Sequence, residues 1–251
     1  MNTAAIIFDK VSKSYGETNV LNNFCMEVSC GELITVIGSS GCGKTTALKL
    51  VNGLLNPDSG KVYVAGTCVA DCDRIKLRRN IGYVIQSIGL FPHLTVGKNI
   101  SYVPSLSGLW NKETERAETV RLLETVGLEP ALVSRYPSEL SGGQRQRVGI
   151  ARALAAKPNI LLMDEPFGAV DEITRRALQD ELLRLYKELE LTIMFVTHDI
   201  TEALKLGTRI LVMAEGRVLQ IGTADEIVNT PVNSFVEELI GSNTEHKKVS
   251  M

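Results

Sequence analysis

The residues with the most chemistry to offer lie together at Gly38-Ser39-Ser40-Gly41-Cys42-Gly43-Lys44-Thr45. An apolar run, Leu33-Ile34-Thr35-Val36-Ile37, precedes them, and a helix-like run starting Thr46-Ala47-Leu48 follows. Strand, glycine loop, Lys-Thr and helix, in that order, form an arrangement that binds a triphosphate. Glycines at 38, 41 and 43 let the backbone curl close to a ligand, and the curled N–H groups make a nest for phosphate oxygens. The helix start adds further donors and a partial positive charge. Lys44 is expected to reach the β- and γ-phosphates and the Thr45 hydroxyl to hold Mg²⁺. Ser39, Ser40, Cys42 and Thr46 complete the expected contact set of the loop.

Other polar groups stand at the ends of apolar runs. Tyr15, just before Gly16, is a candidate to stack on a base. Gln86 ends the run Ile81-Gly82-Tyr83-Val84-Ile85. Leu140-Ser141-Gly142-Gly143-Gln144 is a second glycine loop leading into a helix, hence a second possible anion site. Ile160-Leu161-Leu162-Met163 reads as a buried strand of the parallel kind. It delivers Asp164 and Glu165 at its C-terminal end, where open α/β sheets bind ligands. Asp171 follows, and His198 ends the run 191–197.

These positions need a scaffold of alternating strands and helices. Strands are expected at 3–8, 24–28, 31–37, 61–70, 81–85, 160–163, 191–197, 209–213 and 218–221. Helices are expected at 44–54, from 95, at 112–126, 145–155, 173–190, 200–206, 225–229 and 234–240. The tail, 241–251, is polar and expected to fray.

Composition narrows the class. With 44% hydrophobic and 22% charged residues, the 251-residue chain can bury a sizeable core. No apolar run approaches the roughly 18–20 residues that span a bilayer. Residues 1–10 lack a basic start and a cleavage site, so no secretory leader is expected there. A net charge of −2 and a pI near 6.0 argue against nucleic acid as the main partner. The five cysteines, 25, 30, 42, 68 and 72, include no Cys-x-x-Cys pair and are read as free thiols in a reducing compartment. Cys42 has two readings. One is a small side chain turned from the nucleotide, and the other is a reactive thiolate favoured by nearby positive potential.

Taken together, Tyr15, the loop 38–45, Gln86, the loop 141–144, Asp164-Glu165 and His198 resemble the nucleotide-binding subunit of an ATP-binding-cassette transporter, over nearly the whole chain and in the expected order. The resemblance implies an α/β fold: a P-loop NTPase (RecA-like) core with an N-terminal antiparallel β subdomain and an inserted α-helical subdomain. The domain would span 1–240, with the core at about 1–87 and 157–240, the helical subdomain at about 88–156, and 241–251 as a tail. ATP and Mg²⁺ are the implied cofactors. Glu165 would be the general base, with Gln86, His198 and Lys44 as further catalytic residues. Asp164, Thr45 and Gln86 would hold Mg²⁺. Asp171 resembles an aspartate that contacts a second subunit, although Gly168-Ala169-Val170 before it departs from the commoner Ser-Ala-Leu. Two copies would pair head to tail as a homodimer, with each ATP between loop 38–45 of one and Ser141, Gly142, Gly143 and Gln144 of the other.

The resemblance also implies integral membrane permease subunits, an indirect partnership with a solute-binding protein, and a place on the cytoplasmic face of the membrane. Ile88-Gly89-Leu90-Phe91-Pro92-His93 is the candidate docking surface. The segment 81–93 is similar to importers of glycine betaine, carnitine, choline and related osmoprotectants. Many of those ATPases carry C-terminal regulatory modules, for which a chain ending at Met251 has no room, so either this member lacks them or the sequence is truncated. The alternatives are an ATPase of an amino-acid or lipid transport system and, less favoured, a soluble cassette protein outside transport. A small-molecule kinase has no use for the stretch 140–144, and a GTPase would want Asn-Lys-x-Asp, which Asn111-Lys112-Glu113-Thr114 does not supply.

Overall fold

The computed structural model describes residues 4–168 and 170–248, with 242–248 described by backbone alone. The chain packs as two compact units, one formed by 1–74 and 192–251 and the other by 75–191.

In the first unit, β1 (Ala4–Tyr15) and β2 (Thr18–Ser29) form a long antiparallel hairpin, extended by β4 (Ser59–Val64) and β5 (Thr67–Cys68) in the order β2-β1-β4-β5. Both hairpin strands outrun the expected 3–8 and 24–28. Lys10 and Asn23 take left-handed φ of 48° and 46°, and the β1–β2 register shifts between Phe8 and Val11 and again before Lys13. Such bulges interrupt the period-2 alternation by which a strand is read. Phe8 and Phe24 meet edge to face, centroids 5.1 Å apart, in the buried face of this sheet.

The same unit holds β3 (Leu33–Gly38), β8 (Thr192–Val196), β9 (Arg209–Ala214) and β10 (Arg217–Gly222). β3 runs parallel to both β8 and β9, and β10 returns antiparallel to β9. Every residue of β3 and β8 is buried, as expected of parallel strands covered on both faces. α1 (Lys44–Val51) packs against β3 and β8. α7 (Ile200–Leu206), α8 (Ala224–Asn229) and α9 (Ser234–Lys248) close an apolar cluster around Ile37, Ile210, Val212 and Val236. α9 continues past the expected stop at Ile240. Residues 249–251 of the tail lie outside the described residues.

In the second unit β6 (Ile81–Val84) pairs in parallel with β7 (Ile160–Asp164). Its helices are most of α2 (Arg74–Arg79), then α3 (Val96–Leu106), α4 (Lys112–Thr125), α5 (Gly142–Leu154) and α6 (Glu172–Glu188). Local chemistry sets the helix starts. Thr95 accepts from Lys98 N, and Asn111 makes a capping box with Thr114. Leu122, Leu123 and Val126 are buried as the spacing of α4 predicts. α5 packs on β6, which holds that strand and the helices in one unit.

Candidate functional site

The first unit builds the phosphate loop. β3 ends at Gly38, whose φ is 153°, and a Cβ there would stand 2.1 Å from the Met213 carbonyl oxygen and 2.9 Å from Cys42 Sγ. Gly43 has a φ of 106°, and a Cβ would press on Leu21 and on the Val20 carbonyl, both at 2.7 Å. Glycine is therefore required at both positions by the neighbours as well as by the backbone angle. Gly43 is the N-cap of α1 and supplies no side-chain acceptor to the first-turn N–H groups. Those donors point out of the helix start, the geometry that favours an anion. The Lys44 ammonium donates to the carbonyls of Gly38 at 2.8 Å and Ser39 at 3.0 Å and lies 3.9 Å from Cys42 Sγ. Ser39, Ser40 and Gly41 are exposed, Thr45 is half-buried and Thr46 is buried. Cys42 is buried, and desolvation pushes its thiol above the ordinary 9.0 despite the neighbouring Lys44 charge. Burial and the raised thiol count against the reactive-thiolate reading of this residue.

Tyr15 and His198 stand in the same unit. Tyr15 ends β1 opposite Thr18, is 48% exposed, and has the Lys13 ammonium 6.0 Å from its ring centre. Lys13 in turn pairs with Asp58 at 2.6 Å. His198 follows β8 and is exposed, and Asp199 beside it caps α7 through the N–H groups of Thr201 and Glu202.

The second unit gathers the remaining candidates. β7 is buried throughout and ends in Asp164. The Asp164 charge, after burial, helps push the Tyr83 phenol up to about 12. Glu165 takes a left-handed φ of 44°, an uncommon angle for a residue with a Cβ. Gln86 Nε2 donates to Glu165 Oε2 at 2.9 Å across 79 residues of chain. A carboxylate in a strained turn, with an amide that aims it, can orient a water.

Ser141 is the N-cap of α5. Its hydroxyl accepts from Gln144 N at 3.2 Å, and Gln144 Oε1 accepts from Ser141 N at 2.9 Å. The spacing Ser-x-x-Gln is the signature of such a box, and it starts α5 at Gly142, ahead of the expected 145. Asp171 caps α6 by accepting from Thr174 N at 3.0 Å, and that bond holds its carboxyl below the usual carboxylate range. A Cβ on Gly143 would meet Thr174 Cγ2 at 2.6 Å, so the starts of α5 and α6 abut. Of the departing segment 168–170, Ala169 lies outside the described residues.

Sequence reasoning missed two supports. Asn99 is fully buried and ties down the loop 91–95, accepting from Phe91 N and donating to the carbonyls of Phe91, Leu94 and Thr95. Arg152 spans to the carbonyls of Ile88 and Gly89. Neither carries a local pattern that would have flagged it.

The donors suit a hard cation. Within the second unit, the Asp164 carboxylate and the Gln86 amide oxygen are oxygen ligands of the kind Mg²⁺ takes. Among the described residues no three His, Cys, Asp or Glu cluster into a cage. A cation bound mainly through phosphate oxygens and water, with one or two protein oxygens, fits this donor set.

The family model described as ABC transporter matches residues 21–168, from β2 to just beyond the end of β7. This chain belongs to the ABC transporter family. The cassette is 50% identical over 237 residues to the choline transport ATP-binding protein of Bacillus subtilis (strain 168), covering 94% of this chain and 62% of that protein. It is 46% identical over 236 residues to the glycine betaine uptake system ATP-binding protein of Escherichia coli (strain K12), covering 94% and 76%. The first curated relatives it matches are longer, and the chain spans about six tenths of their length. Among solved structures, it matches the dimeric post-hydrolysis state of an ATP-binding cassette bound to ADP and Pi with a TM-score of 0.79 and 34% identity, over 87% of this chain and 98% of that one. The fold of the cassette is that of these P-loop ATPases, α/β with an antiparallel β subdomain and a helical subdomain.

Proposed function

We propose that this cassette is the ATP-hydrolysing subunit of an ABC importer for quaternary-amine osmoprotectants such as glycine betaine, carnitine and choline. Gln86 holding Glu165 beside the buried Asp164 is the structural observation that carries the ATPase reading. For the solute, the support is that relatives named for choline, carnitine, glycine betaine or osmoprotectant transport match at 45–50% identity.

The loop 38–45 would bind the phosphates, with Lys44 moving from its own loop carbonyls to the β- and γ-oxygens. Tyr15 would stack on adenine. Thr45, Asp164 and Gln86 would hold Mg²⁺, whose charge offsets that of the phosphates. Glu165 would polarise the attacking water, and His198 would contact the γ-phosphate. The core at 1–87 and 157–240 and the helical insertion at 88–156 would serve these two tasks, with 241–251 as a tail. In a head-to-tail homodimer, Ser141 to Gln144 of one copy would grip the γ-phosphate on loop 38–45 of the other, with Asp171 at the subunit contact. ATP would then join the copies, and its hydrolysis would release them.

The membrane partners would be separate permease subunits at the cytoplasmic face, served by a solute-binding protein. Among the described residues no helix is long and apolar enough to cross a membrane. A hollow of about 350 Å³, lined in part by Phe91, Tyr102, Val103 and Arg152, is the candidate seat for a permease. Co-purification of the tagged chain from membranes tests the whole reading. Recovery of permeases with a protein that binds quaternary amines is the expected result. Recovery with an amino-acid- or lipid-binding partner would move the assignment to that class.

A further inference from the structure

The loop that carries Gln86 does not hold its shape through backbone pairing alone. Ile88 and Gly89 are consecutive left-handed residues, with φ of 61° and 59°. A β-branched residue rarely adopts that angle, and something outside the loop must hold it there. The two left-handed residues turn their carbonyls toward α5. Arg152 Nη1 donates to the Gly89 carbonyl at 2.6 Å and Nη2 to the Ile88 carbonyl at 2.7 Å. The planar fork of arginine makes both bonds from one group, which a lysine cannot do. The guanidinium also lies 5.9 Å from the centre of the Phe91 ring. One turn earlier on α5, a Cβ at Gly149 would come within 2.9 Å of Ile88 Cγ2, so the helix approaches the loop at two successive points. Gln86, a few residues back along the same loop, donates to Glu165.

We propose that Arg152 is a positioning residue for hydrolysis: by clamping Ile88 and Gly89 it sets where Gln86 places the Glu165 carboxylate, and it ties that placement to α5, the helix that begins at Ser141. Its guanidinium acts through the carbonyls of Ile88 and Gly89 and beside the Phe91 ring. Its chemistry is a charge-assisted pair of bonds to backbone carbonyls that a permease seated in the adjoining hollow, which Arg152, Gly89 and Phe91 help to line, can tighten or loosen. Contact at the membrane side and the reach of the catalytic amide thus share one side chain. The inference rests on the ATPase reading above for its kinetic consequence and on geometry alone for its structural one.

The test uses the full chain with Arg152→Lys, which keeps the charge and gives up the fork. Hydrogen exchange without nucleotide is measured first. The amides of Ile88 and Gly89 bond to Ile85 and Ser87 within the loop. They are expected to exchange about tenfold faster in the variant, with the amides of α3 and α4 unchanged. Unchanged exchange at 88–89 overturns the clamp. Steady-state hydrolysis is then measured in a cycle with Gln86→Ala. Arg152→Lys is expected to lower kcat about ten- to a hundredfold with little change in KM for ATP. In the Gln86→Ala background the same change should cost less than about twofold, since the group it positions is gone. An equal loss in both backgrounds overturns the role assigned to Arg152. A wild-type chain that hydrolyses no ATP counts against the ATPase reading instead, and the exchange result still decides the clamp.

Discussion

Single residues here are fixed by what surrounds them more than by their own type. Gly38 is needed because the Met213 carbonyl stands where a Cβ would go. Cys42 shows how a neighbour's charge and burial compete: Lys44 favours the thiolate, burial favours the thiol, and burial wins. Modification by a maleimide at pH 7 should therefore be far slower at Cys42 than at the exposed Cys25 and Cys30, with or without ATP, as read by mass spectrometry of tryptic peptides. Fast, ATP-sensitive labelling of Cys42 would contradict this. The linkage has a definite sign. An acid whose value is raised on folding contributes stability that is complete below its ordinary value of 9.0 and is lost as pH climbs through the raised one. Cys42→Ser should flatten the alkaline end of the stability profile measured by urea unfolding.

At the scale of elements, helix starts do much of the positioning. Thr95, Asn111, Ser141, Asp171 and Asp199 each cap a helix with their own side chains. Two of these, Ser141 and Asp171, are also the residues proposed to face a second copy. The two roles separate by substitution. Ser141→Ala removes the cap and should lower stability by about 1 kcal/mol. Ser141→Asp keeps a good cap and adds favourable charge at the helix start, so thermal melting should stay near wild type. Its carboxylate would repel a γ-phosphate, whereas alanine only gives up the hydroxyl contact, so ATP-dependent association should weaken in both variants and most in the Asp variant. If both variants associate normally with ATP, Ser141 serves only to start α5.

For the whole molecule the proper unit of function is the proposed pair of cassettes. Glu165→Gln removes the candidate base while keeping an amide that Gln86 can still meet, so ATP should bind and remain. Light scattering with ATP and Mg²⁺ should then show about twice the 27.4 kDa of the single chain, and the wild type should return to the single mass as ATP is consumed. A monomer in the variant at saturating ATP would sink the bridging role of the γ-phosphate.

What the sequence by itself determined was local. Glycine spacing after an apolar run announced the loop 38–45, a buried run announced β7 and its acidic end, and the family resemblance that these pieces carry in their order implied the α/β class. These features lie within a few residues of one another, where dihedral preference and periodicity act. The long hairpin was only partly legible, because bulges at Lys10 and Asn23 broke the alternation. The meeting of Gln86 with Glu165 and the reach of Arg152 to Gly89 had no local trace. They join residues 79 and 63 positions apart, and only the packing of β6, β7 and α5 brings such groups within a hydrogen bond of each other.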